Sequence, residues 1–378
     1  MSDISLILLG AGQSTRFGLP VKKQWLRVNN TPLWLKVLES FRESFDFANI
    51  VITADRDEVA LFQHFTDVEV VAGGKSRQES IKFALEKIET PWVLISDIAR
   101  CDIPKEMVDR ILENRDKGDI VVPYLSVADT VVVGGENVDR DSVKLIQTPQ
   151  LSKTEILRKL LRKSEKSWSD ESSLFAEYGY RRYFVRGDRR ANKLTYLEDI
   201  DNSSCFKKGF TESIRVGNGF DVHQFQIDDS RKLLLGGVKI DTPLSLKAHS
   251  DGDVLIHSLI DGILGGAGIG DIGELFPDSD EKYRNIDSAK LLENVLHTIT
   301  KIGLEIRYID ITIIAQIPKL QGYKREIREN LSKILQIPKS NINIKATTTE
   351  KLGFIGRKEG IGVISTVTIA NIDWRAYL

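Results

Sequence analysis

The chain has 378 residues, of which 41% are hydrophobic and 28% charged, which predicts two domains with buried cores and excludes a disordered chain. Lys and Arg number 53 against 54 Asp and Glu, so the net charge of -1 argues against a general nucleic-acid binder. We recognise no signal peptide and no apolar run of about 18 residues, so we expect a cytoplasmic protein without a membrane span. Two isolated cysteines, Cys101 and Cys205, interpreted as one in each half, indicate no disulfide framework and a reducing compartment.

Short apolar strands alternate with amphipathic helices in the first half of the chain. The pattern predicts strands at 4–10, 49–53, 68–72, 92–96, 119–123 and 130–133, and helices at 32–45, 76–89 and 153–163. Such alternation is typical of an α/β fold with a mostly parallel, doubly wound, Rossmann-like sheet.

A stretch of small, polar and charged residues around 202–213 indicates a linker. The periodic pattern resumes with a strand at 214–222. It continues with helices near 252–264, 287–302 and 322–336 and strands at 305–315, 342–349 and 361–370. We therefore predict a domain at 1–205, a linker at 206–213, and a second domain at 214–378 with a sheet covered by helices.

A glycine-containing loop from Gly10 to Gly18 follows the first strand directly. Its spacing matches neither G-x-G-x-x-G nor the G-K-[ST] of a P-loop, which disfavours both. Two cations, Arg16 and Lys23, together with the loop amides suit a triphosphate. The open alternative is an ordinary strand-to-helix turn that carries two solvated cations.

Polar residues also follow the strand at 92–96, at the edge where open α/β sheets bind ligands. Asp97 is a candidate ligand for Mg²⁺ on a nucleotide, and the alternative is a turn with an Asp cap. Taken alone, Thr130, Arg140, Thr148 and Lys193 are weaker candidates, because such residues more often lie on surfaces or in turns.

The ordered motifs LLGAGQSTRFG, VAGGKSRQES, SDIAR, QTPQ and NKLT make the first half resemble the 2-C-methyl-D-erythritol 4-phosphate cytidylyltransferases. That family joins methylerythritol phosphate to CTP and releases diphosphate. The resemblance implies that Arg16 and Lys23 stabilise charge at the α-phosphate, and that Asp97 serves Mg²⁺ (or Mn²⁺) and the nucleotide. It implies catalytic roles also for Arg140 and Lys193, and binding roles for Gly10, Ala11, Gly12, Gly74, Ser80, Arg100, Thr130, Thr148 and Ser169.

Three positions depart from this family's pattern. Val21 is an extra residue before the lysine pair, and Cys101 replaces a usual proline. Ser169 replaces a threonine but keeps the hydroxyl, so we expect little loss there.

Three of the five histidines, His223, His249 and His257, fall within a short stretch of the second half. Asp221 and His223 alternate on a strand, so their side chains share one face, and His257 lies on the following helix. Three N/O ligands leave a fourth position open, as in catalytic zinc sites. The alternative is a set of polar residues on a solvated edge.

A second signal is the run KATTTEKLGFIGRKEG at 345–360. Its threonines, Glu350 and Arg357 suit a phosphate–metal site, with Glu350 as ligand of a second, hard cation. The alternative is a threonine-rich strand with a flexible hairpin. The loop at 265–280 is rich in Gly and Asp, and Asp271 with its neighbouring amides suits a ribose or a diphosphate.

The motifs GFDVH, AHSDGDVLIHSL, GDIGELFPD, IIAQIPK and IKATTTEKLGFIGRKEG, in this order, are similar to the 2-C-methyl-D-erythritol 2,4-cyclodiphosphate synthases. The resemblance implies zinc on Asp221, His223 and His257, and a second divalent cation on Glu350. It implies that His249 and Thr348 align the phosphates. It implies binding roles for Ser250, Asp271, Ile272, Gly273, Phe276, Pro277, Asp278, Asp280, Ala315, Lys319, Leu320, Thr347, Thr349, Phe354 and Arg357.

One residue departs from the synthase pattern, because Ile355 stands where the family has threonine. Synthases of this family form trimers with active sites between subunits, so the resemblance implies a homotrimer or a multiple of trimers.

Both resemblances together imply a bifunctional enzyme of the non-mevalonate isoprenoid pathway, acting on methylerythritol phosphate with CTP and on a cytidine-diphospho substrate. The two steps are not consecutive, and the pathway gap raises the hypothesis of association with the intervening kinase, which sedimentation showing no complex would refute. The alternative enzyme is a sugar nucleotidyltransferase fused to a zinc phosphohydrolase, which would release free phosphate. A non-catalytic nucleotide-sensing module would bind CTP without turnover.

Overall fold

The computed structural model describes residues 2–207, 210, 212–228, 232–248, 250–277 and 286–377. The chain forms two compact units, one made of residues 1–210 with 374–378 and the other of 211–373. In the described part of the chain, no helix is both long and apolar enough to cross a bilayer.

The strands of the first unit are β1 (Ile4–Leu9), β2 (Arg27–Val28), β3 (Thr31–Pro32), β4 (Ile50–Ala54), β5 (Glu69–Ala72), β6 (Trp92–Asp97), β7 (Ile120–Ser126), β8 (Val131–Val133), β9 (Glu136–Val138), β10 (Lys144–Ile146), β11 (Gln150–Lys153) and β12 (Arg182–Arg186). Its helices are α1 (Leu33–Ser44), α2 (Val59–Phe65), α3 (Arg77–Leu85), α4 (Lys105–Glu113), α5 (Thr154–Lys163) and α6 (Glu171–Glu177).

One mixed sheet organises the first unit, in the order β10-β7-β11-β6-β1-β4-β5, with β12 beside β7. The strands β6, β1, β4 and β5 run parallel, whereas β11 is antiparallel to β6 and β7. Every residue of β6 is buried, as expected for a strand with both faces covered. Apolar side chains of α3, α5 and α6 pack on this sheet in one core. The predicted α/β fold is confirmed.

Both cysteines belong to the first unit, so their assignment to separate halves was wrong. The Cys205 thiol donates a hydrogen bond to the Cys101 carbonyl at 2.9 Å. The Cys101 side chain is buried, with its sulfur 2.9 Å from the Ser203 hydroxyl. The chain after β12 therefore returns to the loop that follows β6.

The strands of the second unit are β13 (Ile214–Ile227), β14 (Leu233–Leu235), β15 (Val238–Ile240), β16 (Leu244–Leu246), β17 (Leu304–Ile314), β18 (Ile342–Thr347) and β19 (Gly360–Asn371). Its helices are α7 (Val254–Ala267), α8 (Ile272–Leu275), α9 (Ser288–Lys301), α10 (Lys324–Leu335) and α11 (Gly353–Gly356). The main sheet has the order β16-β13-β19-β17-β18.

Helix α7 lies against β13 at very short range, through glycines on both elements. A Cβ atom added to Gly217 would come within 1.9 Å of the Gly262 carbonyl oxygen, and one added to Gly219 within 1.9 Å of the Ser258 carbonyl oxygen. Real Cβ atoms do not approach backbone that closely, so glycine is required at both positions. This contact fixes the distance between the strand and the helix.

We predict that Gly217→Ala lowers the midpoint of thermal unfolding of the second unit. Overpacking of this kind costs about 1–3 kcal/mol, which corresponds to several degrees in a unit of this size. Gly265→Ala is the control, because a Cβ at this position on the same helix meets nothing within 4 Å, and alanine favours helix over glycine. Scanning calorimetry that found equal midpoints for the two variants would contradict the close-packing argument.

The opposite face of the second unit's sheet carries exposed apolar side chains. Alternation along β13 places Ile214, Val216, Phe220 and Val222 on this face, and β19 contributes Ile364. Val216 is 66% exposed and Phe220 is 56% exposed. A contiguous exposed apolar surface of this kind is typical of a protein–protein contact.

Candidate functional site

A cavity of about 460 Å³ opens at the carboxyl ends of β1, β4 and β6 in the first unit. Eight residues predicted from the sequence line it: Gly10, Ala11, Gly12, Lys23, Gly74, Ser80, Asp97 and Lys193. Lys75, Ser76 and Arg77 at the start of α3 also line it and were not among the predicted site residues. The location agrees with the general position of ligands in open α/β sheets.

The two adjacent lysines near the glycine-containing loop have different environments. The Lys22 ammonium forms ion pairs with Asp55 at 3.2 Å and with the buried Glu58 at 3.1 Å. The Lys23 ammonium instead lines the cavity and donates to the Leu194 carbonyl at 3.1 Å. Lys23 is therefore the lysine of the pair that faces the cavity.

Burial and the nearby Lys193 ammonium lower the pKa of Lys23 to about 8. The positive charge of Lys193 disfavours a second positive charge on Lys23, so the cavity favours the binding of an anion. Phosphate groups would relieve that repulsion.

The buried Gln24 side chain forms hydrogen bonds with the glycine-containing loop. Its amide donates to the carbonyls of Gly10 at 3.3 Å and Gly12 at 3.2 Å, and its oxygen accepts from the Ser14 hydroxyl at 3.1 Å. The extra residue Val21 is buried beside this segment and is accommodated in the core. Sequence reasoning missed Gln24, although it directly follows Lys23.

Asp97 is the centre of a buried cluster of charges. Its carboxylate contacts Arg77, accepts from the Lys193 ammonium at 3.0 Å and accepts from the Thr148 hydroxyl at 3.2 Å. Burial alone would raise the pKa of Asp97, but the positive charges of Arg77, Lys193 and Arg100 outweigh it and hold the pKa well below its usual range. Arg100 joins the cluster by donating to the Thr148 hydroxyl at 2.7 Å.

Six predicted residues of the first unit do not line the cavity. Two of them, Arg100 and Thr148, belong to the buried Asp97 cluster, and the other four lie elsewhere. The Arg16 guanidinium lies 5.9 Å from the centroid of the Tyr196 ring. Thr130 and Arg140 are exposed at the base of the β8–β9 hairpin, where Arg140 donates to the Ala128 carbonyl at 2.8 Å. Ser169 is exposed just before α6.

In the second unit, Asp221, His223 and His257 come together as predicted. One ligand atom from each lies within 4.8 Å of the others. The Asp221 Oδ2 atom is 3.1 Å from His223 Nε2 and 3.3 Å from His257 Nδ1. Burial would raise the pKa of Asp221, but its contacts with the two imidazoles lower it well below the usual range.

The outer nitrogens of both histidines have hydrogen-bond partners. His223 Nδ1 lies 3.0 Å from the Lys247 carbonyl oxygen, which can only accept, so that nitrogen carries a proton. In the neutral imidazole Nε2 is then the nitrogen that can bind a metal ion. His257 Nε2 lies 3.0 Å from the Ser288 hydroxyl, which itself donates to Asp251. With its proton on Nε2, the neutral imidazole of His257 presents Nδ1 to the cluster. Such outer contacts are typical of metal-binding histidines, and Ser288 and Asp251 were not predicted as parts of the site.

Helix α7 connects this cluster to the predicted ribose-binding loop. Asp261 lies one helical turn after His257, and its carboxylate accepts from the Ile272 amide at 2.9 Å. Asp271 begins α8 by accepting from the Glu274 amide at 2.9 Å, so that carboxylate oxygen caps the helix. Gly273 is exposed beside it.

The remaining predicted phosphate site lies on a different part of the same sheet. The Glu350 carboxylate accepts from the Thr348 hydroxyl at 2.8 Å, and both residues are exposed. The predicted nucleotide-binding segment 315–320 lies next to these residues, because the Ala315 amide donates to the Thr347 carbonyl at 3.0 Å. Lys319, Phe354 and Arg357 are exposed, Leu320 is buried, and Thr349 is half-buried.

Sheet register gives the separation within one chain between β13, which carries Asp221, and β18, which precedes Glu350. Asp221 pairs with Val363, Val363 with Ile313, and Ile313 with Ala346. Three strand spacings amount to about 14 Å, whereas paired cations that act on the same phosphates lie about 4 Å apart. Glu350 follows the end of β18, and among the described residues its carboxylate is not one of the ligand atoms that converge with Asp221, His223 and His257.

Several predicted positions need only a brief account. His249, Asp278 and Asp280 lie outside the described residues. Ser250 is half-buried, with its hydroxyl 3.2 Å from His257 Nε2. Phe276 is buried and Pro277 exposed, while the departure at Ile355 is a buried side chain.

Comparison with known protein families divides the chain in the same two parts. A family model described as 2-C-methyl-D-erythritol 4-phosphate cytidylyltransferase matches residues 4–206. A second model, described as the YgbB family, matches residues 214–370.

Whole-length relatives contain both parts. A Nitratiruptor protein described as bifunctional enzyme IspD/IspF is 50% identical over 374 residues, which is 99% of each chain. A relative with the same description from Campylobacter jejuni is 46% identical, again over 99% of each chain. The solved structure of the bifunctional IspDF from Campylobacter jejuni matches with a TM-score of 0.83 and 46% identity, covering 99% of this chain and 100% of that one. The chain therefore belongs to the family of bifunctional IspD/IspF enzymes, with a cytidylyltransferase unit followed by a cyclodiphosphate synthase unit.

Proposed function

We propose that the first unit binds CTP with its triphosphate in the cavity between the glycine-containing loop and α3. The observation that carries this proposal is the grouping of Lys23, Lys193 and Arg77 around one cavity at the carboxyl ends of the strands. The phosphate monoester of methylerythritol phosphate then attacks the α-phosphorus, and diphosphate leaves. The nucleophile is already an anion, so positioning and cations supply the catalysis and no general base is required.

Individual residues have separate tasks in this proposal. Lys23 stabilises the charge that develops on the α-phosphate, and Arg16 closes on the phosphates from the loop. Lys193, Thr148, Arg100, Thr130, Arg140 and Ser169 position methylerythritol phosphate, while Gly10, Ala11, Gly12, Gly74 and Ser80 contact the nucleotide. Asp97 serves Mg²⁺ on the triphosphate, which requires Arg77 or Lys193 to give up one of its oxygens.

The second unit would hold zinc on Asp221, His223 and His257. Two nitrogen donors, one carboxylate oxygen and satisfied outer nitrogens fit this ion well. When bound, the ion would neutralise phosphate oxygens during attack of the 2-phosphate on the β-phosphorus, with CMP as leaving group. Asp271 and Gly273 would hold the ribose, and Ala315, Lys319 and Leu320 the cytidine diphosphate.

We further propose that three chains assemble through the apolar sheet face and so complete the second site. The argument rests on the separation of about 14 Å within one chain between β13, which carries Asp221, and β18, which ends before Glu350. It rests also on the described metal-ligand group, which does not include Glu350. In a trimer, Glu350 and Thr348 of one copy would meet the Asp221 cluster of another. Glu350 would then hold the second divalent cation on the same phosphates.

We predict that Val216→Glu prevents this assembly, because three carboxylates would be buried on an apolar contact. Analytical ultracentrifugation of the unaltered protein should give a mass of three times the 42.6 kDa chain, or a multiple of that. Ile227→Glu is the control, since Ile227 is 81% exposed but alternates onto the other face of β13. Assembly that survives Val216→Glu would reject this face as the contact.

Phosphorus NMR tests the two reactions in sequence. The protein is incubated with methylerythritol phosphate, CTP and Mg²⁺, and the pathway kinase with ATP is added later. We expect diphosphate and a cytidine-diphospho product in the first stage, and CMP with a cyclic diphosphate in the second. Free phosphate in place of CMP would favour a phosphohydrolase.

A further inference from the structure

Arg77, at the first position of α3, lies between two buried carboxylates. Its guanidinium donates to Glu171 through Nε at 3.2 Å and through one terminal nitrogen at 3.1 Å. Its other terminal nitrogen contacts Asp97. The Glu171 side chain is 3% exposed and that of Arg77 is 19% exposed. A planar guanidinium held on two sides has little rotational freedom.

The geometry leaves part of the guanidinium for a ligand. A guanidinium carries five N–H donors, and Glu171 and Asp97 engage three of them among the described residues. Arg77 also lines the cavity, whereas Glu171 does not. Two N–H donors therefore remain outside these contacts, on the one residue of the pair that lines the cavity.

Glu171 is itself held in a fixed position at the start of α6. Asp170 caps that helix by accepting from the Ser173 amide at 3.1 Å. The buried Gln150 donates to Asp170 at 2.9 Å and accepts from the Ser172 amide at 2.9 Å. The first turn of α6 is thus tied to β11, which anchors the backbone that carries the Glu171 side chain.

The Asp97 and Glu171 carboxylates differ in the cations that they contact. Asp97 contacts both Arg77 and Lys193, whereas the ion pair of Glu171 is with Arg77. A bound nucleotide or its metal ion would draw Asp97 or Lys193 toward the phosphates. It would then compete with Arg77 for the Asp97 carboxylate. The bidentate contact with Glu171 keeps Arg77 in the cavity wall.

We propose that Glu171 is a positioning residue for cytidylyl transfer, which presents Arg77 to the phosphates of the nucleotide. The proposal rests on the placement of CTP in this cavity. Glu171 touches neither the cavity nor the reacting atoms and acts through Arg77 alone.

The test is Glu171→Gln in the full-length protein, with Glu177→Gln as the matched control on the same helix. Glu177 pairs with the surface residue Lys166, and its side chain is 41% exposed. Steady-state rates of diphosphate release and calorimetric titration with CTP and Mg²⁺ are measured. We expect the KM and Kd for CTP to rise about 10-fold or more in Glu171→Gln, because a charge-assisted contact is lost. The KM for methylerythritol phosphate should change less than about 2-fold.

A second variant separates positioning from a general loss of structure. Arg77→Lys keeps the charge but loses the bidentate contact, so it should weaken CTP binding to a similar extent. Adding Glu171→Gln to Arg77→Lys should then produce little further change, because both act on one interaction. Glu171→Asp keeps the charge on a shorter arm and should restore part of the CTP affinity.

Three results would overturn the proposal. These are a Glu171→Gln protein with the CTP affinity of Glu177→Gln, equal effects on both KM values, or additive effects in the double variant. If Glu171→Gln does not fold, Glu171→Asp and Arg77→Lys carry the same comparison, and additivity between them again refutes it. An unaltered protein that shows no heat of CTP binding would instead reject the nucleotide site itself.

Discussion

Replacement of His257 with alanine is expected to abolish cyclodiphosphate formation while cytidylyl transfer remains. His257 Nδ1 is one of only three converging donor atoms in the described cluster, and it faces Asp221 at 3.3 Å. A metal ion held by two ligands loses both affinity and orientation, and loss of charge stabilisation at a reacting phosphate costs about 10³-fold in rate. We expect release of CMP from the cytidine-diphospho substrate to fall by at least that factor.

The control for this variant is His297→Ala, at an exposed histidine on α9 of the same unit. Both proteins should release diphosphate from CTP at the rate of the unaltered enzyme. Metal content is measured by plasma mass spectrometry after dialysis, and only His257→Ala should lose zinc. A His257→Ala protein with full metal content and full cyclodiphosphate synthesis would refute the assignment of this cluster.

The reciprocal prediction concerns Lys23→Ala. Its ammonium lines the cavity. Among the described hydrogen bonds of this group, only the one to the Leu194 carbonyl would compete with a ligand. Removing a cation that stabilises charge at the α-phosphate should lower the kcat of cytidylyl transfer by about 10²- to 10³-fold. Cyclodiphosphate synthesis should be unchanged, because the second unit contains its own site.

The adjacent Lys22 offers a closely matched control. Lys22→Ala leaves the buried Glu58 without its ion-pair partner, so it should lower thermal stability. It should change the rate of diphosphate release by less than about 3-fold, because Lys22 faces away from the cavity lining. Equal rate losses in both variants would contradict the division of roles between the two lysines.

The pH profile provides an independent check on Lys23. Its pKa is lowered to about 8 by burial and by Lys193, and the protonated form is the one that attracts phosphate. The kcat/KM for CTP reports the free enzyme, so it should fall as pH rises through about 8. Lys23→Arg keeps its charge throughout this range and should lose the decline, whatever its absolute rate.

The sequence was sufficient for features that have a local pattern. Apolar runs alternating with helical periodicity predicted β1, β4, β5, β6 and β7 of the first sheet and β13, β17, β18 and β19 of the second, because burial of one face imposes these spacings. The strands β10, β11, β12 and β16 were not predicted. Asp221 and His223 were predicted to share a face from two-residue alternation alone, and the clustering with His257 is confirmed. That a metal ion occupies the cluster stays a prediction.

Features that join distant segments could not be read from the sequence. Glu171 reaches Arg77 across 94 positions, and Ser288 reaches His257 across 31. No periodic pattern predicts such pairs, because the two residues are distant in sequence and come into contact only in the folded chain. The different environments of Lys22 and Lys23 have the same origin, because the turn that precedes α2 supplies both carboxylates, Asp55 and Glu58.

The sequence by itself therefore determined the two-part α/β organisation, the residue types of both sites and the alternation that groups the Asp221 cluster. Only the tertiary structure decided which lysine faces the cavity and what holds Arg77. It also decided that β13, which carries Asp221, and β18, which ends before Glu350, lie about 14 Å apart in one chain. The physical reason is that strand order and helix docking depend on burial over the whole unit, whereas alternation depends only on neighbouring residues.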